Sequence, residues 1–222
     1  MTTFLLIRHA LCDPVGRSIA GRQPGVHLNA EGKRDAVSLG AQLAQLALAG
    51  VYSSPLERAL ETAGSIAAPH GLPVYTAPGL NEVDFGEWTG KTLEELDGLA
   101  EWKNFNTRRS QTRIPGGEAM PEVLSRATAE LDRQSRLHPG EALVAVVSHG
   151  DVLRAVFADA LGMSLDNLQR LEVSPASISV LRFDRGDRRV LQINLTAGWP
   201  DSLVGNSAWP AMQDAGVGDG PG

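Results

Sequence analysis

Hydrophobic residues form two continuous runs, and each run ends in a histidine. Residues 3–8 are Thr-Phe-Leu-Leu-Ile-Arg and lead directly into His9. Residues 142–147 are Ala-Leu-Val-Ala-Val-Val and lead into Ser148 and His149. A short apolar run without helical spacing is typical of a strand that is buried on both faces of a sheet. We therefore predict two buried strands, each with a histidine at its carboxyl end.

Apolar residues spaced three or four positions apart predict four helices, because this spacing places them on one helical face. The predicted helices span residues 29 to about 48, 54 to about 66, 121–137 and 151–161. Gly50 is expected to close the first helix. The second begins with Ser54-Pro55-Leu56-Glu57, where Ser54 and Glu57 have capping-box spacing and Pro55 suits the first helical position.

Shorter strands and loops complete the pattern. Strands are predicted over residues 51–53, 73–76, 177–183 and 189–195, the last two joined by a turn, and residues 10–28 are predicted as a loop. Strands that alternate with helices favour a parallel-rich sheet covered on both faces. The predicted fold class is therefore α/β, a three-layer α/β/α sandwich around a mostly parallel central sheet.

Two regions depart from regular periodicity. Residues 79–121 contain Trp88, Trp102 and a Pro115-Gly116-Gly117 turn, and predict short helices and loops that form a cap-like insertion over the site. Residues 198–222 are rich in Gly, Pro, Asp and Ala and predict a flexible tail. The length of 222 residues suits one domain, which we expect to span residues 1–197.

Composition excludes several classes of protein. The net charge of −6 argues against general nucleic-acid binding, which requires a basic surface. No apolar run approaches the roughly 20 residues that a membrane helix requires. The first apolar run is too short for a signal-peptide core, and one cysteine, Cys12, allows no internal disulfide. We expect a cytoplasmic protein without membrane or nucleic-acid partners.

The strand ends carry the candidate chemistry. Ligands bind at the carboxyl ends of strands in sheets of this type. If the predicted strands are neighbours, Arg8, His9 and His149 meet there, together with Arg58 from the first turn of the second helix. Two arginines can each bind a phosphate through a bidentate fork, and the helix that begins at Gly150 presents free backbone N–H groups. A neutral imidazole can then attack the phosphorus atom.

The leaving oxygen requires a proton donor, and Glu82 is the best candidate. It lies in a segment that is neither clearly helix nor clearly strand, where burial can raise a carboxyl pKa. Asp84 and Glu87 are nearby alternatives. Phe85, Trp88 and Trp102 either line a substrate pocket or cover the core.

Four short motifs resemble those of the histidine phosphatase superfamily, whose members include cofactor-dependent phosphoglycerate mutases. They occur in the family order between residue 3 and about residue 196. The motifs are Arg8-His9-Ala10, Ser53-Ser54-Pro55-Leu56-Glu57-Arg58-Ala59-Leu60-Glu61-Thr62-Ala63, Asn81-Glu82-Val83-Asp84-Phe85-Gly86-Glu87-Trp88 and Ser148-His149-Gly150. The combination is more specific than any one motif.

The resemblance implies a phosphoglycerate mutase-like fold and catalytic roles for five residues. His9 is the implied phospho-acceptor and Glu82 the proton donor, while Arg8, Arg58 and His149 surround the phosphate. Residues 20–28 resemble a subgroup named as phosphomutases. Ala10 replaces the usual glycine, and Cys12 stands where many members have a hydroxyl residue, so weaker phosphate binding is expected.

Further residues are candidates for substrate contacts. Arg22 and Gly150 are predicted to bind substrate, Arg22 by leaning over the phosphate from the loop after the first strand. Arg108 and Arg109 either meet an acidic part of the substrate or are solvated. His27, His70 and His138 are expected on the surface. No cluster has convincing metal-ligand spacing, so no metal or cofactor is expected.

Three functions fit these residues. The leading interpretation is a phosphomonoesterase that hydrolyses a small phosphate ester through a phosphohistidine intermediate. A phosphomutase is the nearest alternative, although Val83 and Asp84 follow Glu82 where such mutases carry a basic residue. The third is a phosphate-binding module without catalysis. A small phosphorylated substrate and a monomer or homodimer are expected in each case.

Overall fold

In the computed structural model, which describes residues 1–184 and 187–196, the six described strands form one sheet. The strands are β1 (Thr2–Arg8), β2 (Leu48–Ser53), β3 (Val74–Thr76), β4 (Ala142–Ser148), β5 (Ile178–Asp184) and β6 (Asp187–Leu195). Their order in the sheet is β3-β2-β4-β1-β5-β6. The first four are parallel to one another, whereas β5 and β6 pair antiparallel. The predicted, mostly parallel sheet is confirmed.

Helices cover both faces of this sheet. They are α1 (Ala30–Leu43), α2 (Glu57–Ala67), α3 (Leu93–Asp97), α4 (Ala100–Thr107), α5 (Met120–Leu137) and α6 (Gly150–Ala160). Short 3-10 turns occupy Ala68–His70, Pro78–Leu80, Gly86–Trp88 and Leu165–Arg170.

Alternation along the buried strands divides the core into two layers. Leu5 and Ile7 of β1 pack with the apolar residues of α1 and α2. Phe4 and Leu6 point to the opposite face, where they pack with α5, α6 and residues from the region 79–121. Successive side chains of a strand point to opposite faces, so one continuous apolar run serves both layers. The predicted three-layer α/β/α sandwich is confirmed.

The first helix is shorter than its sequence pattern predicts. Asn29 caps it as expected, with its side-chain oxygen accepting the Gly32 N–H at 2.8 Å. The helix ends at Leu43, and Leu48 and Gly50 belong to β2 instead. Leu48 pairs with Leu143 of β4 and is 9% exposed. Pairing and burial in the sheet therefore override the helical spacing in this segment.

The predicted capping box at the start of α2 is wrong. The helix begins at Glu57 with Leu56 at its N-cap, and Leu56 makes no side-chain capping bond. The Ser54 hydroxyl lies 2.7 Å from Nε2 of His149 instead. Glu57 accepts the Gly25 N–H at 3.0 Å and so holds the loop that follows β1.

The region 79–121 contains short helices and loops, as predicted. Trp88 is 3% exposed and makes edge-on contacts with Trp102 and Phe105, so these rings belong to the core. Phe85 instead lines a cleft together with His9 and Arg58. The predicted tail over residues 198–222 and residues 185–186 of the predicted turn lie outside the described residues. The domain boundaries remain predictions.

Candidate active site

The parallel pairing of β1 with β4 brings the two histidines together. Arg8 is in register with Ser148, so His9 and His149 both follow at the same edge of the sheet. The backbone N–H of His9 donates to the Ser148 carbonyl at 2.9 Å, and the two imidazole centroids are 5.1 Å apart. Since β2 also pairs with β4 and ends at this edge, α2 delivers Arg58 to the same place.

The environment of His9 leaves one ring nitrogen ready to act as a nucleophile. Nδ1 lies 2.8 Å from the carbonyl oxygen of Ala10, which accepts its proton. This contact selects the tautomer whose lone pair is on Nε2. Arg58 Nε donates to that nitrogen at 3.3 Å. Burial, followed by the positive charge of Arg58, lowers the pKa of His9 to about 3, so the ring is neutral near pH 7.

Two guanidinium groups carry buried N–H donors without partners among the described residues. Arg58 is 1% exposed and donates from Nη2 to the Gly21 carbonyl at 2.8 Å, but its Nη1 has no partner. Arg8 donates from Nη1 to the Val173 carbonyl at 2.7 Å, but its Nε has none. A guanidinium cannot lose its proton, and an unsatisfied buried donor is costly. Both arginines line the same cleft, so they suit an anionic ligand there.

His149 is fully buried and is oriented by contacts at both ring nitrogens. Nε2 lies 2.7 Å from the Ser54 hydroxyl, and Nδ1 therefore faces Arg58 Nη2 at 3.4 Å and Glu82 Oε2 at 3.7 Å. Burial and the neighbouring His9 ring lower the pKa of His149 well below its ordinary value. The imidazole is therefore neutral and fixed beside the cleft.

Glu82 is the carboxylate that the structure places beside His149, on the wall of the cleft that His9 also lines. Its Oε1 accepts the Val83 N–H at 2.9 Å. Burial raises the pKa of Glu82 above its ordinary value, although the positive charge of Arg58 opposes the change. Of the three carboxylates considered from sequence, Glu82 lines the cleft, whereas Asp84 and Glu87 do not. A carboxyl group with a raised pKa suits proton donation.

Arg22 lies beside Glu82 and outside the cleft wall. Its Nε donates to the Glu82 carbonyl at 2.8 Å, and its guanidinium pairs with Glu118 at 2.9 Å and Asp84 at 3.5 Å. In this structure Arg22 therefore holds the backbone of the proton-donor candidate. Its predicted contact with phosphate stays a prediction.

Gly150 begins α6, as the sequence predicts. A Cβ atom at this position would lie 3.3 Å from Nε and 3.4 Å from Cζ of Arg8. A glycine here therefore allows the Arg8 guanidinium to approach the helix start closely, where backbone N–H groups favour anions.

Sequence reasoning missed a partly buried charge network at the start of α6. Asp151 accepts from Arg109 at 2.7 Å and from Arg154 at 3.1 Å, and Asp151 and Arg154 both line the cleft. Arg109 is 2% exposed and lies over the Phe105 ring, so it is neither solvated nor on the cleft wall. The Asp151–Arg154 spacing was visible in the sequence, but no local pattern connects Arg109 with Asp151.

The other predicted surface residues divide into two groups. His27 is exposed and pairs with Glu61, and Arg108 is exposed as well. His70 and His138 are half-buried, and His138 Nε2 lies 2.8 Å from the Tyr52 hydroxyl. Neither pair lines the cleft.

The cleft encloses about 170 Å³. Much of its wall comes from the loop that follows β1, which contributes residues between Cys12 and Gly21. Phe85 and Leu93 from the region 79–121 form an apolar part of the wall. Cys12 is 2% exposed, and burial raises the pKa of its thiol, so the thiol is protonated near pH 7. Both regions therefore shape the space next to His9.

Neither a clustered metal-ligand set nor a helix able to cross a membrane occurs within residues 1–184 and 187–196. Metal independence itself stays a prediction.

The chain matches known proteins over nearly all of its described length. A sequence profile described as "Histidine phosphatase superfamily (branch 1)" matches residues 4–196. The chain is 30% identical to phosphoserine phosphatase 1 of Hydrogenobacter thermophilus, over 88% of this chain and 93% of that protein. It is 33% identical to phosphoglycerate mutase-like protein 4 of Arabidopsis thaliana, over 76% and 74%. The solved structure of YhfR from Bacillus stearothermophilus superposes with a TM-score of 0.81 at 30% identity, covering 86% of this chain and 96% of that one.

Proposed function

We propose that this chain, which belongs to the histidine phosphatase superfamily, is a phosphomonoesterase that works through a phosphohistidine at His9. The observation that carries the proposal is the set of groups around Nε2 of His9. This neutral nitrogen lies in a cleft with the unpartnered N–H donors of Arg8 and Arg58, and with the carboxyl group of Glu82. A small phosphate ester is the ligand that uses all of these groups at once.

In the first step, Nε2 of His9 attacks phosphorus and the bond from phosphorus to the ester oxygen breaks. Arg8 and Arg58 stabilise the negative charge that spreads over the phosphoryl oxygens. Glu82 donates its proton to the departing oxygen, which leaves as an alcohol. Nδ1–H of His9 remains bound to the Ala10 carbonyl, which supports the positive charge that the ring acquires.

In the second step, the Glu82 carboxylate accepts a proton from water as the water oxygen attacks phosphorus. The bond between phosphorus and Nε2 breaks, inorganic phosphate forms, and both His9 and Glu82 return to their starting states. Arg22 and Arg126 support this use of Glu82, because both donate to its backbone carbonyl, at 2.8 Å and 3.0 Å.

Hydrolysis is favoured over transfer to a second substrate hydroxyl by the residues that follow Glu82. Val83 is fully buried, and Asp84 accepts the Gly86 N–H and pairs with Arg22. Neither offers the basic contact expected of a phosphoglycerate mutase. Incubation with 3-phosphoglycerate and its bisphosphate primer distinguishes the two activities, and we expect phosphate release to exceed isomerisation.

The test of the proposal is the covalent intermediate. Wild-type protein is mixed with a ³²P-labelled phosphate ester, quenched in alkali and checked for label that is stable to alkali but lost in acid, as expected of phosphohistidine. His9→Asn is expected to lose both the label and turnover. Activity is expected to persist in EDTA and to be inhibited by vanadate.

His27→Asn is the matched control, because His27 is an exposed histidine that does not line the cleft. It is expected to retain labelling and turnover. Wild-type turnover in the His9→Asn variant, or a label that stays on the protein in that variant, would disprove the role of His9.

A further inference from the structure

We infer that Arg154 binds a second anionic group of the substrate, and that the preferred substrates are short phosphate esters with a carboxylate on the leaving group. The inference rests on the proposed function and adds to it a residue that selects the substrate. Arg154 belongs to none of the four motifs, and it lies about one turn into α6, on the cleft wall.

Arg154 lies close to the phosphate-binding candidates. A Cβ atom built at Gly150 would lie 3.4 Å from Cζ of Arg8 and 3.6 Å from Nη1 of Arg154. The two guanidinium groups therefore approach the same point at the start of α6. Two like charges held this close in a partly buried cleft favour a ligand with more than one negatively charged group.

Two hydrogen bonds fix the plane of the Arg154 guanidinium. Nε donates to the Leu171 carbonyl at 2.9 Å, and Nη1 donates to Asp151 at 3.1 Å. Nη2 forms a long ion pair with Glu172 at 4.0 Å, beyond hydrogen-bond distance, and the Glu172 side chain is 69% exposed. The fork is thus oriented in advance, with one nitrogen left for a ligand.

The charge balance of the cleft also favours a second anion. The side chains of Arg8, Arg58 and Arg154 line the cleft. Arg109 does not line it but forms an ion pair with Asp151, which does. Burial opposes ionisation of Asp151, but the charges of Arg109 and Arg154 hold its pKa below the ordinary value. With Glu82 protonated, the four guanidinium groups and Asp151 carry one more positive charge than a phosphate dianion neutralises, since the exposed carboxylate of Glu172 is screened by solvent. A substrate carboxylate neutralises this remaining charge.

The size of the cleft limits the leaving group. Its volume of about 170 Å³ lies below the range of roughly 300–1,000 Å³ that holds drug-sized ligands. Phe85 and Leu93 form an apolar part of the wall, whereas Asp151 and Arg154 provide a charged part. The second anionic group is therefore expected within a few bonds of the phosphate.

The test compares ester pairs that differ in the carboxylate alone. 2-Phosphoglycolate is compared with 2-hydroxyethyl phosphate, and 3-phosphoglycerate with glycerol 3-phosphate, by kcat/KM for phosphate release. We expect the wild type to prefer the carboxylate in at least one pair by about tenfold or more, the usual size of a charge-assisted hydrogen bond. Arg154→Gln is expected to remove most of that preference, and Arg154→Lys to restore part of it.

Arg188→Gln is the matched control. Arg188 is 22% exposed and pairs with Asp132 and Asp159 away from the cleft, and Arg154 is 19% exposed. The Arg188→Gln variant is expected to show the same preference for carboxylate-bearing esters as the wild type.

The possible outcomes separate the inference from the proposed function. If Arg154→Gln lowers kcat/KM equally for both members of each ester pair, Arg154 has a merely structural role and the inference is overturned. The inference is also overturned if the wild type hydrolyses these esters in a His9-dependent way but shows no preference for the carboxylate. That result leaves the proposed function intact. Absence of His9-dependent turnover on all four esters overturns the inference, whereas absence of an alkali-stable label at His9 overturns the proposed function.

Discussion

Burial sets the protonation states of the two histidines and the carboxyl group at the candidate site. It lowers the pKa values of His9 and His149 and raises that of Glu82. The two rings are therefore neutral while the carboxyl group retains its proton to a higher pH than usual. A nucleophilic histidine and a protonated carboxyl group can thus coexist in one cleft, as phosphoryl transfer with general-acid assistance requires.

These pKa shifts predict the pH dependence of kcat/KM. On the acid side, activity is expected to fall as His9 becomes protonated near its pKa of about 3. On the basic side, activity is expected to fall as pH rises through the raised pKa of Glu82, because the proton donor is then lost. Glu82→Gln is expected to remove this basic limb.

The same variant tests the need for a proton on the leaving group. With an alkyl phosphate, Glu82→Gln is expected to lower kcat/KM, which reports phosphoryl transfer to His9 and not the later hydrolysis step, by about 10²- to 10⁴-fold, the usual contribution of general-acid catalysis. With p-nitrophenyl phosphate, the decrease in the same quantity is expected to be much smaller, since that leaving group requires no proton. Glu87→Gln is the control, because Glu87 is exposed and does not line the cleft. Equal losses on both substrates would contradict the proposed role.

Between elements, the contact of α1 with α2 depends on one glycine. A Cβ atom at Gly40 of α1 would lie 2.2 Å from the Ser65 carbonyl oxygen of α2. Both partners at this point are backbone, which cannot rotate away as a side chain can. The two helices can therefore approach this closely only if the position has no side chain. Since α2 also carries Arg58, the contact supports the position of the site.

Alanine substitutions at two helical glycines are expected to have opposite effects. Gly40→Ala is expected to lower the free energy of unfolding by about 1–3 kcal/mol, the usual cost of overpacking. Gly64→Ala in α2 is expected to raise it by up to about 1 kcal/mol, because nothing lies within 4 Å of the added Cβ and alanine favours a helix. Urea unfolding measures both as shifts in midpoint with unchanged slope. A stabilised Gly40→Ala variant would contradict the close packing.

For the whole molecule, folding holds two histidines in a neutral state. An unfolded histidine binds a proton below its ordinary pKa of 6.5, whereas His9 in the native protein does so only near 3. Below pH 6.5 the unfolded state therefore binds more protons than the native state, and acid lowers stability. Glu82 acts in the opposite direction, because its native pKa is raised and its contribution is lost as pH rises through that value.

The predicted consequence is a steep loss of stability in mild acid. Each histidine kept neutral lowers the free energy of unfolding by up to about 1.4 kcal/mol per pH unit below 6.5. Between pH 6.5 and 5.0, His9→Asn is thus expected to lose about 2 kcal/mol less than the wild type. Urea titrations in phosphate-free buffer measure the difference, with His27→Asn as control. Parallel pH curves for wild type and His9→Asn would contradict a neutral, buried His9.

Local sequence was sufficient for those features that depend on neighbouring residues. The apolar runs before His9 and Ser148 predicted β1 and β4, because a strand buried on both faces is apolar throughout. Helical spacing likewise predicted α5 and α6. The motif around Arg58 placed that residue at the site, although its role and those of the other site residues remain predictions.

Tertiary structure decided every feature whose partners are distant in the chain. The position of β4 between β1 and β2 brings His149 close to His9. The spacing of apolar residues along the chain could not predict this strand order, because it reflects neighbouring residues only. Because Leu48 and Gly50 pair with β4, α1 ends earlier than its sequence pattern predicts. The Ser54 hydroxyl contacts His149 instead of capping α2. Arg109 and Asp151 are 42 residues apart, and burial of both charges together made them partners. Propensity acts over a few residues, whereas pairing and burial act across the whole fold, so only the folded chain determines these contacts.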